Sequence, residues 1–187
     1  MNLTRWRNSH GFGVHSPFGF RIAKGVVSPG KNYSYYAEQE ITRLANKERL
    51  SATEASHFVK IHRLVSMLHI HNAYSTKSMN KCLRLALLKA GVRISNNILF
   101  KDSAKVTSAS EPFMQNLYIF EESIQENIAT EILSTPGNVL MIYNNSPLTT
   151  AKALLHNLHS GIIISGNFCT LAFSRIQTQP VCYQMDL

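Results

Sequence analysis

The chain has 187 residues, 44% of them hydrophobic and 16% charged, which gives one domain with a substantial core and excludes a disordered chain or one that depends on disulfides. No apolar run reaches the roughly 20 residues of a bilayer span, and residues 1–10 lack the apolar segment of a signal peptide, so a cytoplasmic protein with no membrane partner is expected. Charge is lopsided: residues 1–110 carry 17 Lys+Arg and 5 Asp+Glu, a net of +12, and residues 111–187 carry 2 and 6, a net of −4, which sum to the formal +8. Nucleic acid is therefore a possible partner of the first half, although its basic residues are dispersed singly without a Lys/Arg run, as on an ordinary solvated surface. Cys82, Cys169 and Cys182 fall in apolar patterns without metal-ligand spacing and read as buried thiols.

Ser16 and Pro17 are an N-cap and first-turn pair, and Phe18, Ile22 and Val26 recur every four residues, so a helix is expected over 17–27. A second helix over 33–49 places Tyr33, Tyr36, Ala37, Ile41, Leu44 and Ala45 on an apolar face. Ser51 and Glu54 form a capping box for a third, with Phe58, Ile61, Val65 and Leu68 in period. The stretch 64–91 organises the rest: a short strand over 67–71, a polar loop over 72–78, and a helix over 79–90 stopped by Gly91.

A second strand follows over 93–100, a serine-rich loop over 102–111, and a third strand over 117–120 leading to Glu121. Ser123 and Glu126 suggest a capping box for a helix over 123–133. Val139–Tyr143 is apolar throughout, as in the middle of a parallel sheet, and Asn144, Asn145, Ser146 and Pro147 turn the chain into a helix with Leu148, Ala151, Leu155 and Leu158 inward. Strands over 161–164, 168–173 and 181–184 complete seven, the last two expected as an antiparallel hairpin. The expectation is one α/β domain, a helical extension over 1–63 before a core over 64–187 with a mostly parallel seven-stranded sheet.

Residues 10–20, His-Gly-Phe-Gly-Val-His-Ser-Pro-Phe-Gly-Phe, resemble the opening of a group of bacterial proteins similar to class I S-adenosylmethionine-dependent methyltransferases, which begin with a His-Gly-x-His-Ser-Pro-Phe type motif. Here an extra Phe-Gly stands before the second histidine. The resemblance implies a Rossmann-like methyltransferase fold, S-adenosylmethionine as cofactor and a small-molecule acceptor. Laid on that pattern by element order, His69 falls where the group has an acidic residue and His71 where it has a glycine, with Asn72, Ala73 and Ser75 completing the cofactor loop. Asp102, after the second strand, is the carboxylate for ribose hydroxyls.

The loop over 72–78 contains no glycine, and an imidazole at position 71 would occupy space the cofactor needs. The resemblance thus implies a degenerate cofactor site. Cation-dependent O-methyltransferases among the relatives place an Asp after the third strand and Asp-Asn after the fourth, beside the acceptor. This chain offers Glu121, Asn144 and Asn145 as catalytic candidates, too poor in carboxylates for Mg²⁺, and the asparagines also read as ordinary turn residues. His69 and His71, two apart on a strand, share a face and would need a third ligand such as His62 to hold Zn²⁺, so no metal is expected. The other reading is a non-catalytic protein on the same fold whose basic first half contacts nucleic acid or protein.

Overall fold

The computed structural model describes residues 3, 16–27, 29, 35–75, 79–96, 115–121, 124–135, 137–143, 146–157, 161–173 and 180–187. Helix α1 (Pro17–Ile22) starts where Ser16 Oγ accepts from Gly19 N at 3.3 Å, and it runs on as a π-turn over Ala23–Val27. The remaining elements are α2 (Tyr35–Lys47), α3 (Ala52–Met67), β1 (Ile70–Ser75), α4 (Lys81–Lys89), β2 (Arg93–Asn96), β3 (Gln115–Glu121), α5 (Glu126–Ser134), β4 (Val139–Tyr143), α6 (Pro147–Asn157), β5 (Ile162–Ser165), β6 (Cys169–Phe173) and β7 (Val181–Gln184). The residues 10–15 of the amino-terminal motif, like 97–114, lie outside the described residues.

All seven strands form one sheet in the order β2-β1-β3-β4-β6-β5-β7. Every neighbouring pair is parallel except those of β6, which is antiparallel to both β4 and β5. The arrangement is α/β with a mixed, mostly parallel sheet, consistent with a Rossmann-like fold. The hairpin is therefore β5–β6, not the last two strands, and β7 adds to the edge parallel to β5. Gly166 is needed at that hairpin: a Cβ there would stand 2.8 Å from the Leu187 carbonyl oxygen and 2.9 Å from that of Cys169.

Side-chain alternation divides the sheet's two faces. Leu117, Ile119, Val139, Met141, Ile162 and Ile164 meet one core with Ile22, Ile41, Ile61 and Leu64 from the amino-terminal helices. Tyr118, Phe120, Leu140, Ile142 and Ile163 meet the other, with Ile132 of α5 and Ala151 of α6. Arg63 of α3 ties the helical layer together, chelating Glu38 of α2 with two 2.7 Å contacts and donating to the Val26 carbonyl of the π-turn at 3.3 Å. Two positions expected to face inward do not: Tyr36 is 82% exposed and Leu148 is also exposed. The cysteines are free, with Cys82 and Cys169 buried and Cys182 half-buried. Among the described residues, no helix is long and apolar enough to cross a membrane.

The largest departure from the sequence reading concerns β1. Helix α3 continues to Met67, Leu68 caps it, and His69 takes the left-handed conformation, φ 51°, that commonly follows a helix end. The strand accordingly runs from Ile70 to Ser75, so residues 72–75, expected in the loop, belong to the strand. A bulge between Ile70 and Asn72 against β3 breaks the alternation that would have marked these residues as strand. Similarly, α5 starts at Glu126 with Gln125 as N-cap and no side-chain capping bond, in place of the expected Ser123 box, whose serine lies outside the described residues.

His69 carries the cost of a left-handed backbone without a compensating contact that glycine would lose. Replacing it by glycine should raise the unfolding free energy by about 1 kcal/mol, and replacing it by valine should lower it, as read from urea denaturation.

Candidate functional site

The strand order reverses beside β1: the chain goes from β1 to β2 on one side, then returns to place β3 on the other. At such a reversal the connections leave the carboxyl ends of adjacent strands in opposite directions and a crevice opens between them. A cleft of about 700 Å³ lies there. Its floor is made by Ser75 at the end of β1, Ile119 and Glu121 at the end of β3, and Tyr143 at the end of β4. Met79, Asn80 and Leu83 bring in the start of α4, and Ser146, Thr149 and Thr150 the start of α6. Glu54, His57 and Phe58 of α3, with Phe168 from the β5–β6 turn, complete the wall.

Local chemistry fixes each wall. Asn80 caps α4 by accepting from Cys82 N at 2.8 Å, so the positive end of that helix dipole faces the cleft. Thr170 Oγ1 donates to the Pro147 carbonyl at 2.7 Å and ties β6 to the first turn of α6. At the start of α3 the capping box is complete: Glu54 Oε2 accepts from Ser51 N at 2.8 Å and from Ser51 Oγ at 2.7 Å, while Glu54 N donates to Ser51 Oγ at 3.2 Å. Those bonds, led by the serine hydroxyl, hold the Glu54 carboxyl below the usual range and keep it ionised.

Within the cleft, His57 Nε2 lies 2.8 Å from the Tyr143 hydroxyl. His57 is only 3% exposed. Burial draws its pKa down to about 4; the nearby Leu187 backbone opposes this and the charge of Lys60 adds to it. Tyr143 is pushed well above its ordinary value, mainly by burial and further by Cys169, its cross-strand partner. The pair is neutral at pH 7. Three rings, those of Phe58, Tyr143 and Phe168, stand edge to face with the imidazole at centroid distances of 5.4 Å.

The chain matches no family model, no curated protein and no solved structure. Its site is therefore read from its own geometry.

Of the residues singled out from the sequence, Ser75 and Glu121 stand together in the cleft, Ser75 buried and Glu121 exposed. His69 and His71 do not join them. Both lie exposed at the amino end of β1, and six residues at about 3.3 Å each put His69 some 20 Å from Ser75. The pairing argument fails as well, because His69 belongs to a turn and not to the strand. His62, the proposed third ligand, is buried against the Ala86 carbonyl at 3.1 Å.

Asn72 and Ala73 lie within the strand instead of a loop. Ala73 is fully buried between Ile94 and Leu117. Asn72 begins an amide ladder, donating to Asn116 Oδ1 at 3.2 Å; Asn116 in turn donates to Asn138 Oδ1 at 3.2 Å, and Asn138 to the Ile132 carbonyl at 2.9 Å. This ladder braces the sheet at the end away from the cleft. Asp102, Asn144 and Asn145 lie outside the described residues. Among the described residues, no group of three or more His, Cys, Asp or Glu side chains is placed to hold a metal ion.

Sequence reading overlooked His57, Tyr143, Asn80 and Phe168. One signal for His57 was present: Glu54, His57, Phe58 and Ile61 follow the i, i+3, i+4, i+7 spacing of the buried stripe, so a histidine sits where an aliphatic residue would pack. Tyr143, last in an otherwise aliphatic strand, was the corresponding signal on β4.

Because folded His57 resists protonation that the unfolded chain accepts from about pH 6.5 downward, its contribution to stability is complete above pH 6.5 and is lost as pH falls through about 4. The loss should reach about 3 kcal/mol, the size of that interval in free energy. Urea denaturation at pH 7.5 and pH 4 should show a difference smaller by about this amount in His57→Gln than in the unaltered chain.

Proposed function

We propose that this chain is a methyltransferase-type protein that takes S-adenosylmethionine and a small hydroxyl or amine acceptor into the cleft at the ends of β1, β3 and β4. The observation that carries the reading is the position of the cleft, at the reversal of strand order where cofactors lie in open α/β sheets. Size supports it, since about 700 Å³ is in the usual range for cofactor and small-ligand pockets.

The side chains present suit the cofactor. Ser75 and Asn80 supply a hydroxyl and an amide where the amino-acid portion would be held, beside the positive end of α4. Glu121 supplies a carboxylate for hydroxyl groups, and Met79, Leu83 and Ile119 an apolar wall for a flat base. The steric objection raised by His71 disappears, because that imidazole lies at the opposite end of β1. A small buried serine ends the strand instead.

When bound, the cofactor supplies an electrophilic methyl group. The protein's part is to hold acceptor and methyl in line and keep water out, work done here by Phe58, Phe168 and the starts of α4 and α6. Basic residues on the helical face are partly engaged within the protein: Arg63 with Glu38, Lys81 with Glu48 and Lys89 with Glu40.

Saturating S-adenosylhomocysteine, at about 100 times its dissociation constant, should stabilise the fold by roughly 2.7 kcal/mol. For a chain of this size that is a rise in Tm on the order of 5 to 10 °C, measurable by scanning calorimetry. An unchanged Tm, with no heat of binding by titration calorimetry, would count against the proposal.

A further inference from the structure

Two polar side chains of the cleft, those of His57 and Tyr143, meet each other without capping a helix. His57 Nε2 meets the Tyr143 hydroxyl at 2.8 Å, and both residues line the cavity. The imidazole is wedged among Phe58, Phe168 and Tyr143, so rotation about its own bonds is restricted. Its other nitrogen, Nδ1, is buried and makes no hydrogen bond, although the Leu187 backbone lies near enough to raise the proton affinity of the ring. Gly166 permits the close approach of that backbone, and Asn167 N fixes it by donating to the Leu187 carbonyl at 2.9 Å.

Proton placement in the pair depends on the tautomer of His57. A backbone group that favours protonation of the ring is an acceptor, and a buried N–H turned toward an acceptor costs less than a buried lone pair in the same place. With the imidazole proton on Nδ1, Nε2 is left to accept. Tyr143 donates its O–H to Nε2, and its oxygen is left as a hydrogen-bond acceptor at the cleft.

We propose that the Tyr143 oxygen is the receptor in this cleft for a hydroxyl or amine group of a bound ligand, with His57 as the positioning residue that fixes its proton. The inference rests on the methyl-transfer reading for its chemistry. In that reaction Tyr143 takes the acceptor's proton and passes its own to His57 Nε2. With the cofactor bound, the acceptor's lone pair would bond to the methyl carbon, and the electron pair of the bond that breaks would leave with the cofactor. A positive charge is lost at sulfur as one is gained on the imidazole, so the net charge of the cleft is unchanged by the step.

The first reading needs no altered chain. In protein labelled with ¹⁵N-histidine, the ring-nitrogen shifts of His57 should show Nδ1 protonated at pH 7, and the Nε2 signal should move as phenol, benzyl alcohol or benzylamine is titrated in. In Tyr143→Phe, which keeps the ring, affinity for the responding probe should fall about tenfold, the worth of one hydrogen bond. His57→Gln, whose amide oxygen can accept the Tyr143 proton, should retain most of the affinity. A proton on Nε2, silence toward all three probes, or equal affinity in Tyr143→Phe would each overturn the assignment. Failure of S-adenosylhomocysteine to bind while a probe still engages Tyr143 would instead remove the methyl-transfer reading and leave the receptor, so the two ideas fail separately.

Discussion

Helix α3 is the constraint on which both ends of the molecule depend. Its 16 residues, about 24 Å at 1.5 Å each, run from the cleft to the opposite end of the strands, where β1 begins. The Ser51–Glu54 capping box fixes its start, which places His57 and Phe58 against the ends of β3 and β4. The left-handed turn at His69 fixes its stop, and the stop decides which residues of the next stretch become strand and which become loop. One turn more or less at either end would move the histidine out of the cleft or shift the register of β1 against β2 and β3. Ile61, Leu64 and Val65, all fully buried against the sheet, hold the helix in that position.

This dependence explains what could and could not be read from the residues. Element types were legible because periodicity records burial: the apolar run Val139–Tyr143 and the stripe of Phe58, Ile61, Val65 and Leu68 lie buried or nearly so. The boundary between α3 and β1 was not legible. Val65 through Ile70 is apolar enough to satisfy either a helix end or a strand, and the signal that separates them is a single left-handed residue, for which histidine gives far less warning than glycine. A misplacement of three or four residues there carried His69, His71, Asn72 and Ala73 into the expected cofactor loop, although His69 and His71 lie at the amino end of β1 and Asn72 and Ala73 within the strand.

Pairing of the last strands was lost for a different reason. The Gly166-Asn167 turn signal was present between β5 and β6, but the choice between inserting β6 beside β4 and appending it at the edge depends on long-range packing. Tyr143 and Cys169 face each other only because of that insertion. The buried surroundings of Tyr143, and so its neutral pairing with His57, follow from the antiparallel strand. In the same way Glu121 was found from the sequence because it ends a strand, whereas His57 reaches the site from a helix that the sequence places only as a covering layer.

The site thus has an apolar, neutral interior with charged groups kept toward its rim, within a chain that is basic as a whole. Glu54 is held ionised by its cap, and the His57–Tyr143 pair is held neutral by burial. The claim that ties these features together is that ligands enter at the carboxyl ends of β1, β3 and β4. Amide chemical-shift mapping of ¹⁵N-labelled protein with S-adenosylhomocysteine tests it most directly. The account predicts perturbations concentrated at Ser75, Asn80, Ile119, Glu121 and Tyr143. Perturbations concentrated instead at His69, His71, Asn116 and Asn138, at the amino ends of the same strands, would contradict it.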